Sequence, residues 1–239
     1  MDRPEQIFSV AIDGTAASGK TTVAKLLALE LNCGYLDTGK LYRAITLEFS
    51  KALKIKPELW PQETEKVRGQ LAKSELRVEA TKVGECRVLL GNKDVKELLD
   101  SLEVEQATPF AAKIPIVRDF LLDVQRELPT RSSVVMAGRD IGTVVLPDAT
   151  LKVFIEASLE ERAKRRLSQH QNQFSQSELE RAAAALQSRD QNDATRDCAP
   201  MRCHESALKL DSTHKTPEQL VEIIKEALME NLNCKNDKE

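Results

Sequence analysis

The sequence predicts an α/β protein in which helices cover both faces of a parallel sheet. Short apolar runs alternate with segments of helical periodicity, and a glycine-containing loop joins the first run to the first helix. With 41% hydrophobic and 31% charged residues, the 239-residue chain can bury one sizeable core without disulfides. We therefore expect a single domain over residues 1–239.

Four apolar runs have the length of buried strands, at residues 7–13, 133–137, 151–155 and 207–210. Helical spacing is found between and after these runs, first over residues 20–31 and last from Pro217 to about residue 231. Three predicted helix starts carry a capping pattern, in which Ser or Thr precedes Glu or Gln by three residues. These pairs are Ser158 with Glu161, Ser177 with Glu180, and Thr216 with Gln219.

Two segments interrupt the alternation of strands and helices. Residues 54–101 are polar, and two alternating stretches within them flank a glycine-containing turn. We predict a small antiparallel insertion there. Residues from about 160 to about 200 are rich in arginine, and we predict that they form a helical lid. The simpler interpretation of these arginines is a solvated helix face.

Composition argues against several classes of protein. The net charge of −3 gives no bulk reason to expect nucleic-acid or membrane binding, and no apolar run is long enough to span a membrane. Residues 1–6 are polar and lack the features of a signal peptide. The five scattered cysteines then indicate reduced thiols, and Cys198 and Cys203 lack the ligand spacing of a metal site. We expect a cytoplasmic monomer.

Residues 14–21, GTAASGKT, match the G-x-x-x-x-G-K-[ST] pattern and join a predicted strand to a predicted helix. In this P-loop the backbone wraps around an anion, and the helix start adds its positive dipole end. We predict binding of ATP, with Lys20 at the β- and γ-phosphates and the Thr21 hydroxyl as a ligand of Mg²⁺. The predicted nucleotide-binding residues are Gly14, Thr15, Ala16, Ala17, Ser18, Gly19, Lys20, Thr21 and Thr22.

Three further stretches carry arginines that could bind an acceptor phosphate. Arg43 lies one turn into the second predicted helix, and Arg139 and Asp140 follow a predicted strand, where ligands of open α/β sheets bind. Residues 189–196 interleave arginines with carboxylates. Because phosphoryl transfer needs positive charge and exclusion of water, these stretches together indicate a phosphotransferase. Taken singly, they could be a surface arginine, a surface ion pair and a polar loop.

These motifs together resemble the bacterial cytidylate kinases. The resemblance is carried by the P-loop, by D-T-G-x-x-Y-R at residues 37–43 and by G-R-D-I-G-T-V-V at residues 138–145. It extends to E-R-A-K-R-R at residues 161–166 and L-D-S-T at residues 210–213. Motif order and spacing agree from about residue 7 to about residue 230, which is nearly the whole chain.

The resemblance implies a P-loop kinase that transfers the γ-phosphoryl group of MgATP to CMP and dCMP. The phosphate-handling positions of the family match Arg43, Arg139, Arg189 and Arg196, and the last three join Lys20 as predicted catalytic residues. The positions that recognise cytosine match Arg118 and Asp140. Asp193 matches the position that meets the ribose, and Thr38 matches a position at the acceptor pocket.

Two positions depart from the family pattern. Nine residues before Arg118, the family usually has a serine whose hydroxyl contacts the base, but this chain has Pro109, which offers no donor. We expect Thr108 to substitute for that serine; the alternative is that Thr108 only caps a helix beginning at Pro109. Lys40 stands where the family often has a small apolar residue and adds a charge near the acceptor entrance.

The residues leave two other functions open. Another small-molecule P-loop kinase could phosphorylate UMP, a different monophosphate or a metabolite alcohol. A regulatory module could bind nucleotides without useful turnover, although the arginines of the acceptor stretches argue against it.

Overall fold

A parallel sheet organises the chain, as the sequence predicts, and it has six strands. The computed structural model describes residues 7–81, 83–169 and 173–236, with side chains up to residue 233. Residues 1–6, on which the prediction of no signal peptide rests, lie outside these ranges. Within the described ranges, no helix has the length and apolar character that crossing a membrane requires.

The strands in chain order are β1 Ser9–Gly14, β2 Gly34–Asp37, β3 Leu76–Glu79, β4 Gly84–Glu85, β5 Arg87–Leu90, β6 Lys93–Asp94, β7 Val134–Ala137, β8 Leu151–Glu156 and β9 Leu208–Asp211. The α-helices are α1 Lys20–Glu30, α2 Gly39–Ala52, α3 Thr64–Leu71, α4 Leu102–Ala112, α5 Pro115–Glu127, α6 Leu159–Ser168, α7 Gln176–Thr195 and α8 Pro217–Asn236. A π-helical turn, Ile141–Val145, follows β7.

The main sheet has the strand order β4-β2-β7-β1-β8-β9, and every pair in it is parallel. The chain first crosses from β1 to β2, which lies on the same side of β1 as β7. It later crosses from β7 to β8, which lies on the opposite side of β1. This change of direction puts the carboxyl end of β1 at the switch point of the sheet, where ligands of open α/β sheets bind. The P-loop follows β1 directly and therefore lies at that switch point.

The two faces of β1 supply two separate parts of the core. Val10 and Ile12 pack in a cluster with residues of α1 and α8, whereas Ala11 belongs to a cluster with residues of α2, α4 and α5. Successive side chains of a strand point to opposite faces, so helices on both faces bury every residue from Val10 to Asp13. This explains why the centre of β1, Val10–Ile12, is apolar at every position instead of alternating with polar residues.

The predicted insertion contains the two expected antiparallel strands and two short strands, β4 and β6, that were not predicted. β3 and β5 pair antiparallel through Leu76↔Leu90 and Glu79↔Arg87, and β6 joins β5. β4, by contrast, extends the main sheet parallel to β2. Lys40 of α2 forms an ion pair with Glu85 of β4, so its charge is matched and ties the insertion to α2.

The helix starts at Ser158 and Thr216 are confirmed, but the start at Ser177 is wrong. The Ser158 hydroxyl accepts from the Glu161 N–H, and Thr216 and Gln219 exchange both bonds of a capping box. Helix α7 begins two residues earlier than predicted, because Ser175 accepts from the Glu178 N–H and Glu178 accepts from the Ser175 N–H.

The alternative interpretation, in which Thr108 caps a helix beginning at Pro109, is wrong. Helix α4 begins at Leu102 and runs through both residues, and the Ser101 hydroxyl caps it by accepting from the Val104 N–H at 3.4 Å. The Thr108 hydroxyl instead donates to the Val104 carbonyl oxygen, four residues earlier, at 2.6 Å. Pro109 is exposed inside the helix, where it offers no N–H to the carbonyl of Glu105, four residues earlier, so the helix loses one hydrogen bond.

We expect Ser175→Ala to lower the free energy of unfolding by about 1 kcal/mol, because it removes the cap of α7. Ser177→Ala is the matched control and should leave stability within about 0.5 kcal/mol of wild type. Urea unfolding followed by circular dichroism measures both. Equal effects of the two substitutions would contradict the assignment of Ser175 as the cap.

Candidate active site

The P-loop is held in a curled conformation that begins at the end of β1. Gly14 has φ +142°, and a Cβ at this position would lie 1.9 Å from the carbonyl oxygen of Ile155 on β8. Ala17 takes a left-handed φ of 59°. Lys20 is the first residue of α1 and is buried, and its ammonium donates to the Thr15 carbonyl oxygen and to Ser18 Oγ. The ammonium group is thereby folded back over the loop.

Asp13, the last side chain before the P-loop, joins this loop to the turn after β7. Its two carboxylate oxygens accept from the backbone N–H groups of Ile141 and Gly142 at 2.8 and 2.7 Å. Burial raises the pKa of Asp13 to about 6, against the opposing effect of these two hydrogen bonds. Sequence reasoning missed Asp13, although a carboxylate at the end of an apolar strand was the available signal.

Arg118 and Asp140, the two residues predicted to recognise a base, form a buried ion pair. The Arg118 guanidinium donates to Asp140 Oδ2 at 2.6 Å, and Arg196 approaches the same oxygen at 3.2 Å. The Arg118 guanidinium also lies over the ring of Tyr42, with Cζ 5.5 Å from its centroid. Residues from α2, α5, the turn after β7 and the end of α7 therefore meet at one point.

Arg139 does not pair with its neighbour Asp140, so the simple surface ion pair considered from the sequence is absent. Its Nε donates to Asp193 Oδ2 of α7 at 2.9 Å. Arg196, which follows α7, approaches the other carboxylate oxygen of Asp193 at 3.9 Å. The arginine-rich end of α7 is thus joined to the carboxyl end of β7.

The cations of the site lie close enough together that each disfavours the protonated form of its neighbours. Burial lowers the pKa of Lys20 well below its usual range, and the charge of Arg139 adds to this effect. Burial and Arg139 likewise lower the pKa of Arg189. Charges of Arg43 and Arg166 act on Arg189 in the same direction. Such a cluster is suited to an anion of high charge, which would relieve the repulsion.

Thr38 and Arg43 lie at the start of α2, as predicted, but Thr38 does not cap the helix with its side chain. The Thr38 hydroxyl donates to the Ala137 carbonyl oxygen at 3.2 Å, which fixes the start of α2 beside the end of β7. Asp37 Oδ1 accepts from the Gly39 N–H instead. Arg43 forms an ion pair with Asp100, at the end of the insertion.

Thr108, a predicted substrate residue, uses its hydroxyl for a bond within α4 and not for one to an arginine of the cluster. Its hydroxyl bond to Val104 stays within its own helix. Thr21 and Thr22, by contrast, lie exposed in the first turn of α1. An exposed hydroxyl beside a phosphate cradle fits Mg²⁺, which is commonly held by one or two protein ligands together with substrate phosphates and water.

The predicted lid helices α6 and α7 pack on the P-loop. Ala163 and Leu186 contact Ala16 in a small apolar cluster. Ser212, just after β9, adds a polar link that sequence reasoning missed, because its hydroxyl donates to the Ser18 carbonyl oxygen at 2.9 Å. Arg165 of α6 donates to the Ser212 hydroxyl and carbonyl oxygens at 3.0 and 2.6 Å.

The raised pKa of Asp13 predicts how this residue affects stability. The folded state binds the Asp13 proton more tightly than the unfolded state, whose pKa is near 3.8. The stabilising contribution of Asp13 therefore falls as pH rises from about 4 through about 6. Urea unfolding of wild type and Asp13→Asn at several pH values measures this. The wild-type advantage in unfolding free energy should shrink over that range and level off near pH 7; a flat or growing advantage would contradict it.

Comparison with known proteins agrees with this geometry. The cytidylate kinase family profile matches residues 10–230. The cytidylate kinase of Streptococcus agalactiae serotype V is 36% identical over 229 residues, covering 96% of this chain and 99% of the relative. That of Caldanaerobacter subterraneus subsp. tengcongensis is 39% identical, covering 93% and 95%.

A solved structure of an uncharacterized protein from Eubacterium ventriosum has a TM-score of 0.51 at 13% identity, covering 94% of this chain and 99% of that one. At this identity the likeness concerns the fold alone. The family profile and the two kinases, by contrast, cover nearly the whole of this sequence. The chain therefore belongs to the cytidylate kinase family, a family of nucleoside-monophosphate kinases, and it is a transferase that uses nucleotides.

Proposed function

We propose that this kinase transfers the γ-phosphoryl group of ATP to CMP and dCMP at the crevice between the P-loop and the arginine cluster. An oxygen of the acceptor phosphate attacks the γ-phosphorus, the bond between that phosphorus and the β–γ bridging oxygen breaks, and ADP leaves. The products are CDP and dCDP.

One observation carries the proposal: basic residues from separate stretches of sequence converge beside the P-loop. The charge of Arg139 acts on both Lys20 and Arg189, and that of Arg43 acts on Arg189. Phosphoryl transfer depends on positioning and on stabilising negative charge, and it needs little covalent chemistry from the protein. A cluster of this kind beside a P-loop supports transfer between two phosphorylated substrates.

On the donor side, residues 14–22 would cradle the ATP phosphates. Lys20 would move from its present bonds within the loop to the β- and γ-phosphates, and the Thr21 hydroxyl would help to hold Mg²⁺. That ion would neutralise charge on the phosphates. Arg139, Arg189 and Arg196 would act with Lys20 in the transfer itself.

On the acceptor side, each role follows from the chemistry of the group. Arg43 would bind the CMP phosphate once Asp100 releases it, because a guanidinium can grip a phosphate bidentately. Asp140 would accept from the cytosine amino group, and Arg118, held by Asp140, would donate to the base. Asp193 would meet the ribose. Thr38 would line the pocket wall at the end of β7.

The proposal includes a cytoplasmic monomer that does not bind nucleic acid. The location and the lack of nucleic-acid binding are supported by the overall net charge of −3 and by the free thiols of Cys33, Cys86, Cys198 and Cys203. Neither feature calls for a basic nucleic-acid surface or an oxidising compartment.

A coupled assay of ADP formation with each common nucleoside monophosphate tests the function. We expect CMP and dCMP to give the highest kcat/KM, and UMP to be worse by about 5- to 150-fold, since one mispaired buried group costs about 1–3 kcal/mol. Preference for another acceptor would favour a different kinase, and no stimulation by any monophosphate would favour a regulatory module.

Lys20→Ala is the control for contaminating kinases in that assay. It should remove nearly all turnover, because its charge stabilises the transition state. Retention of about a third of the wild-type kcat/KM, a loss of only about 0.7 kcal/mol, would contradict its role.

Thr108→Val tests whether Thr108 replaces the missing serine in base recognition. If it does, the CMP/UMP ratio of kcat/KM falls several-fold, because a site loses discrimination when it loses a group that pairs with the substrate. Thr46→Val is a matched control, since the Thr46 hydroxyl makes the same kind of bond, to the Tyr42 carbonyl oxygen at 2.8 Å. An unchanged ratio in Thr108→Val would remove Thr108 from the recognition site.

A further inference from the structure

Three residues form a closed ring of hydrogen bonds between the P-loop and the lid helices. The Ala16 N–H donates to Asp190 Oδ1 at 2.8 Å, and Arg162 Nη1 donates to the Ala16 carbonyl oxygen at 3.0 Å. Arg162 Nη1 also pairs with Asp190 Oδ2, which closes the ring. We call Ala16, Arg162 and Asp190 the loop clamp. Both backbone polar groups of Ala16 are therefore engaged by side chains from α6 and α7.

The side chains of the loop clamp are largely buried, and Arg162 is also held by the backbone that follows β8. The side chains of Arg162 and Asp190 are 8% and 14% exposed. Arg162 Nε donates to the Ala157 carbonyl oxygen at 3.1 Å, which fixes the guanidinium relative to the end of β8. A buried ion pair adds little net stability compared with apolar residues of similar volume. The arrangement is thus poorly explained by stability alone and calls for a geometric role.

The geometry that the clamp controls is that of the phosphate cradle. Ala17, the next residue, has a left-handed φ of 59°, a conformation that costs a residue with a Cβ about 1–2 kcal/mol. Fixing the N–H and the carbonyl of Ala16 restrains the backbone directly before this strained residue. A phosphate cradle works only if its N–H groups already point at the anion, so such a restraint favours binding.

We propose that Arg162 and Asp190 are positioning residues that hold the P-loop in its phosphate-binding conformation. The inference rests on the proposed binding of ATP by the P-loop. It gives the lid helices a second role, because their packing on the loop shapes the donor site in addition to covering it.

The effect of Asp190 on nucleotide affinity distinguishes positioning from simple electrostatics. The charge of Asp190 acts on Lys20, so this carboxylate stands near the phosphate site. If charge were its only effect, Asp190→Asn would strengthen ADP binding, because a negative group near the phosphates would be removed. Positioning predicts the opposite sign, since Ala16 and Arg162 bond to different oxygens of Asp190 and the amide puts an NH2 donor in place of one of them.

Isothermal titration calorimetry with ADP, and separately with CMP, measures the two affinities. We expect Asp190→Asn to weaken ADP binding about tenfold and to leave CMP binding within about twofold of wild type. Absence of CMP binding to wild type would count against the proposed function, whereas the clamp is judged by the changes in affinity that Asp190→Asn causes. An ADP affinity that is unchanged or increased, or an equal loss for CMP, would overturn the inference.

The double variant Arg162→Met with Asp190→Leu covers the case in which a single substitution prevents folding. It replaces the buried ion pair by apolar side chains, a change that such sites can tolerate. The same loss of ADP affinity is expected, and failure of both variants to fold would overturn a positioning role. Glu160→Gln with Lys164→Gln is the matched control, because it neutralises an exposed ion pair on α6. This control should bind ADP as wild type does.

Discussion

The close approach of like charges at the carboxyl ends of β1 and β7 is the constraint on which this site depends. Several cations must stand together before any phosphate binds, and each costs free energy when buried without a partner. The structure meets this cost with carboxylates from distant segments of the chain. These pairs are Arg43 with Asp100, Arg118 and Arg196 with Asp140, Arg139 with Asp193, and Arg162 with Asp190.

The sheet makes this arrangement possible. Because β1, β7 and β8 are parallel neighbours, their carboxyl ends supply the P-loop, the Arg139–Asp140 turn and the start of α6 at one edge. Asp13 then fixes the first two of these to each other through the N–H groups of Ile141 and Gly142. A one-residue shift of β7 against β1 would move Arg139 and Asp140 together, so the register of these strands positions both.

The sequence predicted the P-loop, the acceptor stretches and the parallel sheet because each depends on local pattern. What it could not predict depended on competition between similar patterns. Ser175 and Ser177 both precede a glutamate by three residues, and the earlier start prevails because it gives α7 a complete capping box. Helix α4 continues through Pro109 because Val104, Ala107 and Ala111 form a buried stripe, so tertiary packing outweighs one lost hydrogen bond. The partners of the arginines come from distant segments and have no local signal.

The ion pairs differ in burial, and this difference determines in which of them a substrate could displace the carboxylate. The side chains of Arg43 and Asp100 are 33% and 69% exposed, whereas those of Arg118 and Asp140 are 8% and 12% exposed. An exposed pair contributes about 0–1 kcal/mol, so a phosphate that grips Arg43 can displace Asp100 at low cost. Removing one partner from a buried pair costs about 3–5 kcal/mol. Under the proposed function, Asp140 would therefore keep Arg118 in place while an acceptor enters, and the exchange of partners would be confined to the exposed edge.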